Sequence, residues 1–128
     1  MIYISVPYTG TAKETQERME YVFAYFAYLA NQQIHAMSPV LIGHQLIIRG
    51  AVTPSHDFWL PYSREMLRSS DEVHVLTVLG FDSSRGVSFE VTEAIEFGKP
   101  VTFVDPITFQ PHVDQNECLA RVITSNIV

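Results

Sequence analysis

Glycine, serine, arginine and glutamate stand close together in Gly80-Phe81-Asp82-Ser83-Ser84-Arg85-Gly86-Val87-Ser88-Phe89-Glu90. Gly80 permits a turn, and Gly86 lets a backbone come close to a ligand. Ser83 and Ser84 can cap a helix or donate to an anion at its positive amino end. The stretch suits a phosphate or a polyhydroxylated sugar, although ordinary capping accounts for the same serines. Glu90 flanks the stripe Val87, Val91, Ala94 and Ile95, while Glu93, Glu96 and Lys99 fall on the solvated face. A carboxylate there can attack a sugar's anomeric carbon, where charge like that of an oxocarbenium ion develops. A helix-start glutamate stabilised by the dipole is the plainer alternative.

The elements that hold this stretch are legible on either side. Val73 to Leu79 reads as a buried strand, and the helix that follows runs from Arg85 to Gly98. Strand-to-helix loops at the carboxyl ends of parallel strands are where open α/β sheets bind ligands. Tyr3 to Val6 stops at Pro7 and predicts a short central strand. After the loop Tyr8 to Thr11, a capping box of Thr11 and Glu14 opens a helix to about Gln32, with Met19, Val22, Phe23, Phe26, Leu29 and Ala30 inward. Tyr21, Tyr25 and Tyr28 form a second column, either half-buried at the stripe's edge or a self-association surface.

Ile34 to Val40 predicts a second strand, Leu41 to Gly50 a short helix, and Ala51 to Ser55 a loop. Asp57 to Ser70 predicts a helix with Phe58, Trp59, Tyr62, Met66 and Leu67 on its buried side. Pro100 to Val104 is a further strand, residues 114–123 a last helix with Leu119, Val122 and Ile123 inward, and Ile127-Val128 a strand or an arm. This alternation predicts one α/β domain over residues 1–128, three-layered and flavodoxin- or Rossmann-like, with a mostly parallel sheet of four or five strands. His44 lies just past the second strand, as a packing residue or a ligand-facing one. Tyr8, Trp59 and Phe81 are either core aromatics or rings on which a base stacks.

Composition narrows the partners. A net charge of -6 with no basic stripe argues against a nucleic-acid duplex. Cys118 is the sole cysteine, so neither an intrachain disulfide nor a thiolate zinc site is expected, and a cytoplasmic setting is the default. The amino terminus lacks the basic start of a signal peptide and is too short an apolar run to span a membrane. No cofactor or metal is expected.

Several short segments, taken in order, resemble one family. They are Met1 to Tyr8, Ser38-Pro39, Phe58-Trp59, Met66 to Val73, Gly80 to Val87, Glu90, Ala94 and Gly98 to Val101. They are similar to the nucleoside 2-deoxyribosyltransferase superfamily, which includes the 2'-deoxynucleoside 5'-phosphate N-hydrolases, over about residues 1–105; 106–128 form a tail. The resemblance implies that Glu90 is the nucleophile at the anomeric carbon and that Tyr3 orients it. It implies that Ser84 contacts the sugar phosphate, helped by backbone amides of Pro7, Tyr8, Thr9 and Gly10. It also implies a homodimer or larger homo-oligomer with sites near the subunit interface. The family usually carries an aspartate that manages the departing base's proton at the position of Ser63, eight residues before Asp71. Asp82, in the loop after the third strand, is the nearest alternative.

Two functions are therefore expected, with a third as the plainest. One is cleavage or transfer at the N-glycosidic bond of a small nucleotide or nucleoside, through a ribosyl intermediate on Glu90. Another is a binding protein for a nucleotide or ADP-ribose-like ligand, motivated by Ser63. The last is a structural subunit with a vestigial site.

Overall fold

The computed structural model describes residues 1–51 and 56–125. Among these, β1 (Ile2–Ser5), β2 (Ala36–Met37), β3 (Glu72–Leu76) and β4 (Val101–Val104) form one all-parallel sheet in the order β2-β1-β3-β4. Residues alternate in direction along a strand. Tyr3 accordingly joins the core under α3 (His56–Ser69), α4 (Arg85–Glu96) and α5 (Gln115–Ser125). Ile2, Ile4 and Val6 join the opposite core, under α1 (Ala12–Asn31) and α2 (Pro39–Ile48). This is the expected three-layer, flavodoxin-like architecture, with β1 central. The chain passes from β1 outward to β2, then crosses to β3 on the other side of β1. Ligand sites in open α/β sheets lie at such a reversal, beyond the carboxyl ends of the strands.

α1 begins at the predicted capping box, in which Glu14 N donates to Thr11 Oγ1 at 3.2 Å and Thr11 N to Glu14 Oε1 at 3.0 Å. Its inward stripe is rotated from expectation. Phe23 is 64% exposed, whereas Tyr25 is only 2% exposed and forms a 2.7 Å hydrogen bond with His74 Nδ1. Tyr25 also packs beside Tyr28 and Phe109, so it belongs to the core's edge. The helix meets the sheet through Val22, Tyr25 and Leu29, and Phe23, about 100° away from Val22, turns outward.

Other boundaries moved for local reasons. The second strand is confined to two residues because Pro39, suited to a helix's first turn, starts α2 directly after Ser38. β3 ends at Leu76, and Leu79 is 93% exposed, because the ladder's continuation stops at Thr77 N, bonded to Val104 O. In α4 the inward set is Val87, Val91, Ala94 and, against expectation, Glu93, while Ile95 is exposed. Arg64 of α3 reaches Glu93 Oε1 at 2.6 Å and so permits its burial. In α5, Cys118 and Val122 point inward and Ile123 is exposed. The expected loop at Ala51 to Ser55, the inward side chain of Phe58 and the expected arm at Ile127-Val128 fall wholly or mainly outside the described residues. None of the described helices is long and apolar enough to cross a membrane.

Candidate functional site

A cleft of about 470 Å³ opens at the reversal point, between the loop after β1, the loop before α4 and the first half of α3. Glu90 is half-buried in its wall. Two hydroxyls from β1 hold its carboxylate. Ser5 Oγ donates to Glu90 Oε1 at 3.1 Å, and the Tyr3 hydroxyl donates to the same carboxylate. They converge because residues two apart on a strand face the same way. The Ser63 hydroxyl donates in turn to Tyr3, so α3, β1 and α4 meet in one hydrogen-bonded chain.

The electrostatics follow from this enclosure. Burial pushes the Glu90 carboxyl up to about 7, against the hydrogen bonds from Tyr3 and Ser5, which favour its charged form. Tyr3 is driven far above the ordinary phenol range, first by burial and then by the neighbouring charge of Glu90 and the bond to it. It therefore remains a donor. Near neutral pH Glu90 is available in both protonation states, and its ionised form has the chemistry of a nucleophile or a base.

The cleft's other end is built from the start of α4. Ser84 caps the helix, its Oγ accepting from Val87 N at 3.2 Å, and Ser83 Oγ donates to Gly80 O at 3.3 Å. Ser83, Ser84, Arg85 and Gly86 all line the cleft, so hydroxyls, a guanidinium and the helix's positive end share one region. Arg18 closes it from the α1 side. Its guanidinium donates to Thr9 O at 2.8 Å and to Leu79 O at 3.3 Å, and its side chain is 13% exposed. Two glycines leave room for it: a Cβ at Gly10 would lie 3.0 Å from one terminal nitrogen, and a Cβ at Gly80 3.1 Å from the other.

Of the residues expected at the site, Tyr3, Pro7, Tyr8, Thr9, Trp59, Ser63, Ser83, Ser84, Gly86 and Glu90 line this cleft. Gly10 and His44 instead line a neighbouring groove between α1 and α2. His44 is buried, with Nδ1 3.2 Å from the Tyr8 hydroxyl and Nε2 3.3 Å from Gln16 Oε1. Two further expectations are corrected. The left-handed turn at Gly80 leads into a short 3₁₀ turn, Phe81–Ser83, which sends Phe81 into the core against Phe103 rather than toward a base. Asp82, proposed to handle a proton, is outside the cleft wall and paired with Arg121 of α5 at 2.6 Å.

Ser5, which bonds Glu90, and Arg18 and Phe89, which line the cleft beside Arg85, were not singled out from sequence. Ser5 was accessible through strand alternation from Tyr3. Among the described residues no group of three or more His, Cys, Asp and Glu is placed to hold a metal ion.

No curated protein matches the sequence. A family described as a domain of unknown function, DUF1937, matches residues 1–105, which include every strand and every cleft-lining residue named above. The chain therefore belongs to the DUF1937 family.

Proposed function

We propose that the protein cleaves the N-glycosidic bond of a small nucleotide or nucleoside, with Glu90 attacking the anomeric carbon. The observation that carries this reading is the Glu90 carboxylate, held by Tyr3 and Ser5 beside a cleft whose other end presents Ser84, Arg85 and the α4 amino terminus. That end suits the sugar's phosphate, through hydroxyls and helix amides. The carboxylate end suits the carbon where positive charge develops. Attack by Glu90 would give a glycosyl ester, which water or a second base resolves.

The test is incubation with a panel of nucleoside monophosphates and nucleosides, with free base followed by chromatography. Release by the wild type and its loss in Glu90→Gln, by a factor of about 1,000 or more for loss of a nucleophile, supports the reading. Release that is unchanged in Glu90→Gln removes the glutamate from the mechanism.

Ser63, in the position where the resemblance leads one to expect an aspartate, favours a second reading: a binding protein for a nucleotide or ADP-ribose-like ligand. It predicts tight binding without conversion, and product formation above the buffer rate would refute it.

A further inference from the structure

The family match ends at residue 105, yet the cleft wall at Ser83 to Gly86 leans on a helix that comes after it. α5 is joined to the edge strand β4 by its first residue. Gln115 Nε2 donates to Phe103 O and Gln115 Oε1 accepts from Phe103 N, both at 2.7 Å, so one side-chain amide pairs with both main-chain groups on the open edge of the strand. Further along the helix, Cys118 and Val122 are buried in the same core as Phe81 and Phe103. These contacts seat α5 beside the loop that precedes α4.

Arg121 then reaches from α5 to the 3₁₀ turn Phe81–Ser83. Its Nε and Nη2 donate to Asp82 Oδ2 at 3.1 and 2.6 Å, and its guanidinium carbon lies 5.2 Å from the centre of the Phe81 ring. One side chain thus grips two successive residues of the turn. The next residue, Ser83, lines the cleft, and the one after it, Ser84, caps α4. The turn holds itself by little, with Phe81 N donating to Val78 O at 3.0 Å and Ser83 N to Gly80 O at 3.2 Å, in a geometry poorer than that of an α-helix. Its place is set from outside, by Arg18 at Leu79 O and by Arg121 at Asp82. The Arg121 side chain is 49% exposed and that of Asp82 24%, and an ion pair so open to water adds little to global stability. Its effect is on where the turn stands.

We propose that Arg121 is a positioning residue for the cleft: by gripping Asp82 and Phe81 it fixes the Ser83 hydroxyl and the amino end of α4 where an anionic group of the ligand is held. The C-terminal helix, beyond the family match, is thereby part of the site. This rests on the reading of that end of the cleft as the phosphate end. Glu90 takes its place from Tyr3 and Ser5 of β1, so Arg121 acts on binding of the anion and not on the carboxylate.

The experiment uses the full chain with Arg121→Met, which keeps the stem and drops the fork, Arg121→Lys, which returns a charge to Asp82, and the pair Arg121→Met with Asp82→Asn. Melting temperatures should stay within about 4 °C of the wild type. Amide exchange at Ser83 and Val87 should be about tenfold faster in Arg121→Met with α5 still protected, largely restored in Arg121→Lys, and no faster in the double variant than in the faster single one. Dissociation constants for dCMP, dGMP, UMP and AMP are measured beside those for their nucleosides. For the monophosphates that the wild type binds, Arg121→Met should weaken binding about tenfold, as for one misplaced hydrogen bond to a charged group, with the nucleosides unaffected and Arg121→Lys recovering most of the loss. Unchanged exchange at Ser83 and Val87 overturns the proposal. So does a loss of protection spread along α5, or an equal weakening of nucleotide and nucleoside. A wild type that binds none of the four monophosphates overturns it together with the nucleotide reading. The expected shifts without any release of base remove the glycosidase reading and leave the role of Arg121 standing.

Discussion

Replacing Glu90 by glutamine should stabilise the protein at alkaline pH and leave it nearly unchanged in acid. The substitution keeps a side-chain oxygen to accept from Ser5 and Tyr3 and removes the charge. Burial raises the carboxyl from its ordinary 4.5 to about 7. At about 1.4 kcal/mol per pH unit, that difference makes ionising Glu90 cost about 3 kcal/mol more in the native state than in the unfolded chain. Below pH 4.5 both states hold the proton. Between 4.5 and 7 the native state keeps a proton that the unfolded chain releases, so wild-type stability falls as pH rises. Above about 7 the loss is complete. Urea unfolding of both proteins at several values from pH 4.5 to 9 should show the variant gaining on the wild type by about 3 kcal/mol across that window. Other titrating groups cancel in the comparison. A gap that stays constant with pH would refute the claim that the fold holds this carboxylate in a poorly solvated wall, and a gap that narrows would reverse its sign.

Removing either hydroxyl that steadies Glu90, by Ser5→Ala or Tyr3→Phe, should raise its titration midpoint by about one pH unit, as expected for a lost hydrogen bond to a charged group. Carbon NMR of the labelled carboxyl would read this, and an unmoved midpoint would remove that hydroxyl from the carboxylate's support. Gly80→Ala should destabilise by about 1–2 kcal/mol, because φ is +92° there and the new Cβ would stand 3.1 Å from Arg18. Gly86→Ala, whose nearest neighbour would be Ser84 Oγ at 3.8 Å, should be neutral or slightly stabilising, and thermal melts of the two glycine variants beside the wild type read both effects. Arg18→Met should cost about 1–3 kcal/mol through its two lost carbonyl contacts, with faster hydrogen exchange in both loops it bridges; protection left intact would show that the loops do not depend on it.

The alternation of apolar runs with helical periodicity is enough to read the layered fold, because strand and helix differ in period and a parallel sheet demands crossovers. Glu90 and Ser84 can be picked out for a related reason, because the helix period sets the direction of one and the helix start places the other, whereas Tyr3 enters through the family resemblance alone. Arg18 has no such signal. Its partner at Leu79 is a main-chain carbonyl 61 residues away, and carbonyls leave no trace in side-chain identity. For Phe81, left open between core and base stacking, and for Asp82, the loop's own 3₁₀ turn after the left-handed Gly80 decides the outcome, and such a turn has no periodic pattern to read. Glu93 shows the converse. Its position looked solvated from the helix alone, and only the arrival of Arg64 from another helix makes burial tolerable.

Ser84 and Glu90 belong to the same rigid element, one capping α4 and the other about 9 Å further along its axis. An inserted or deleted residue between them would swing the carboxylate by about 100° around the helix and away from Tyr3 and Ser5. Replacement of an intervening residue such as Ser88 has no such effect. Over evolutionary time this segment should therefore drift freely in composition at its outward positions while its length stays invariant, so that alignment gaps, rather than substitutions, mark the point at which a descendant has lost the site.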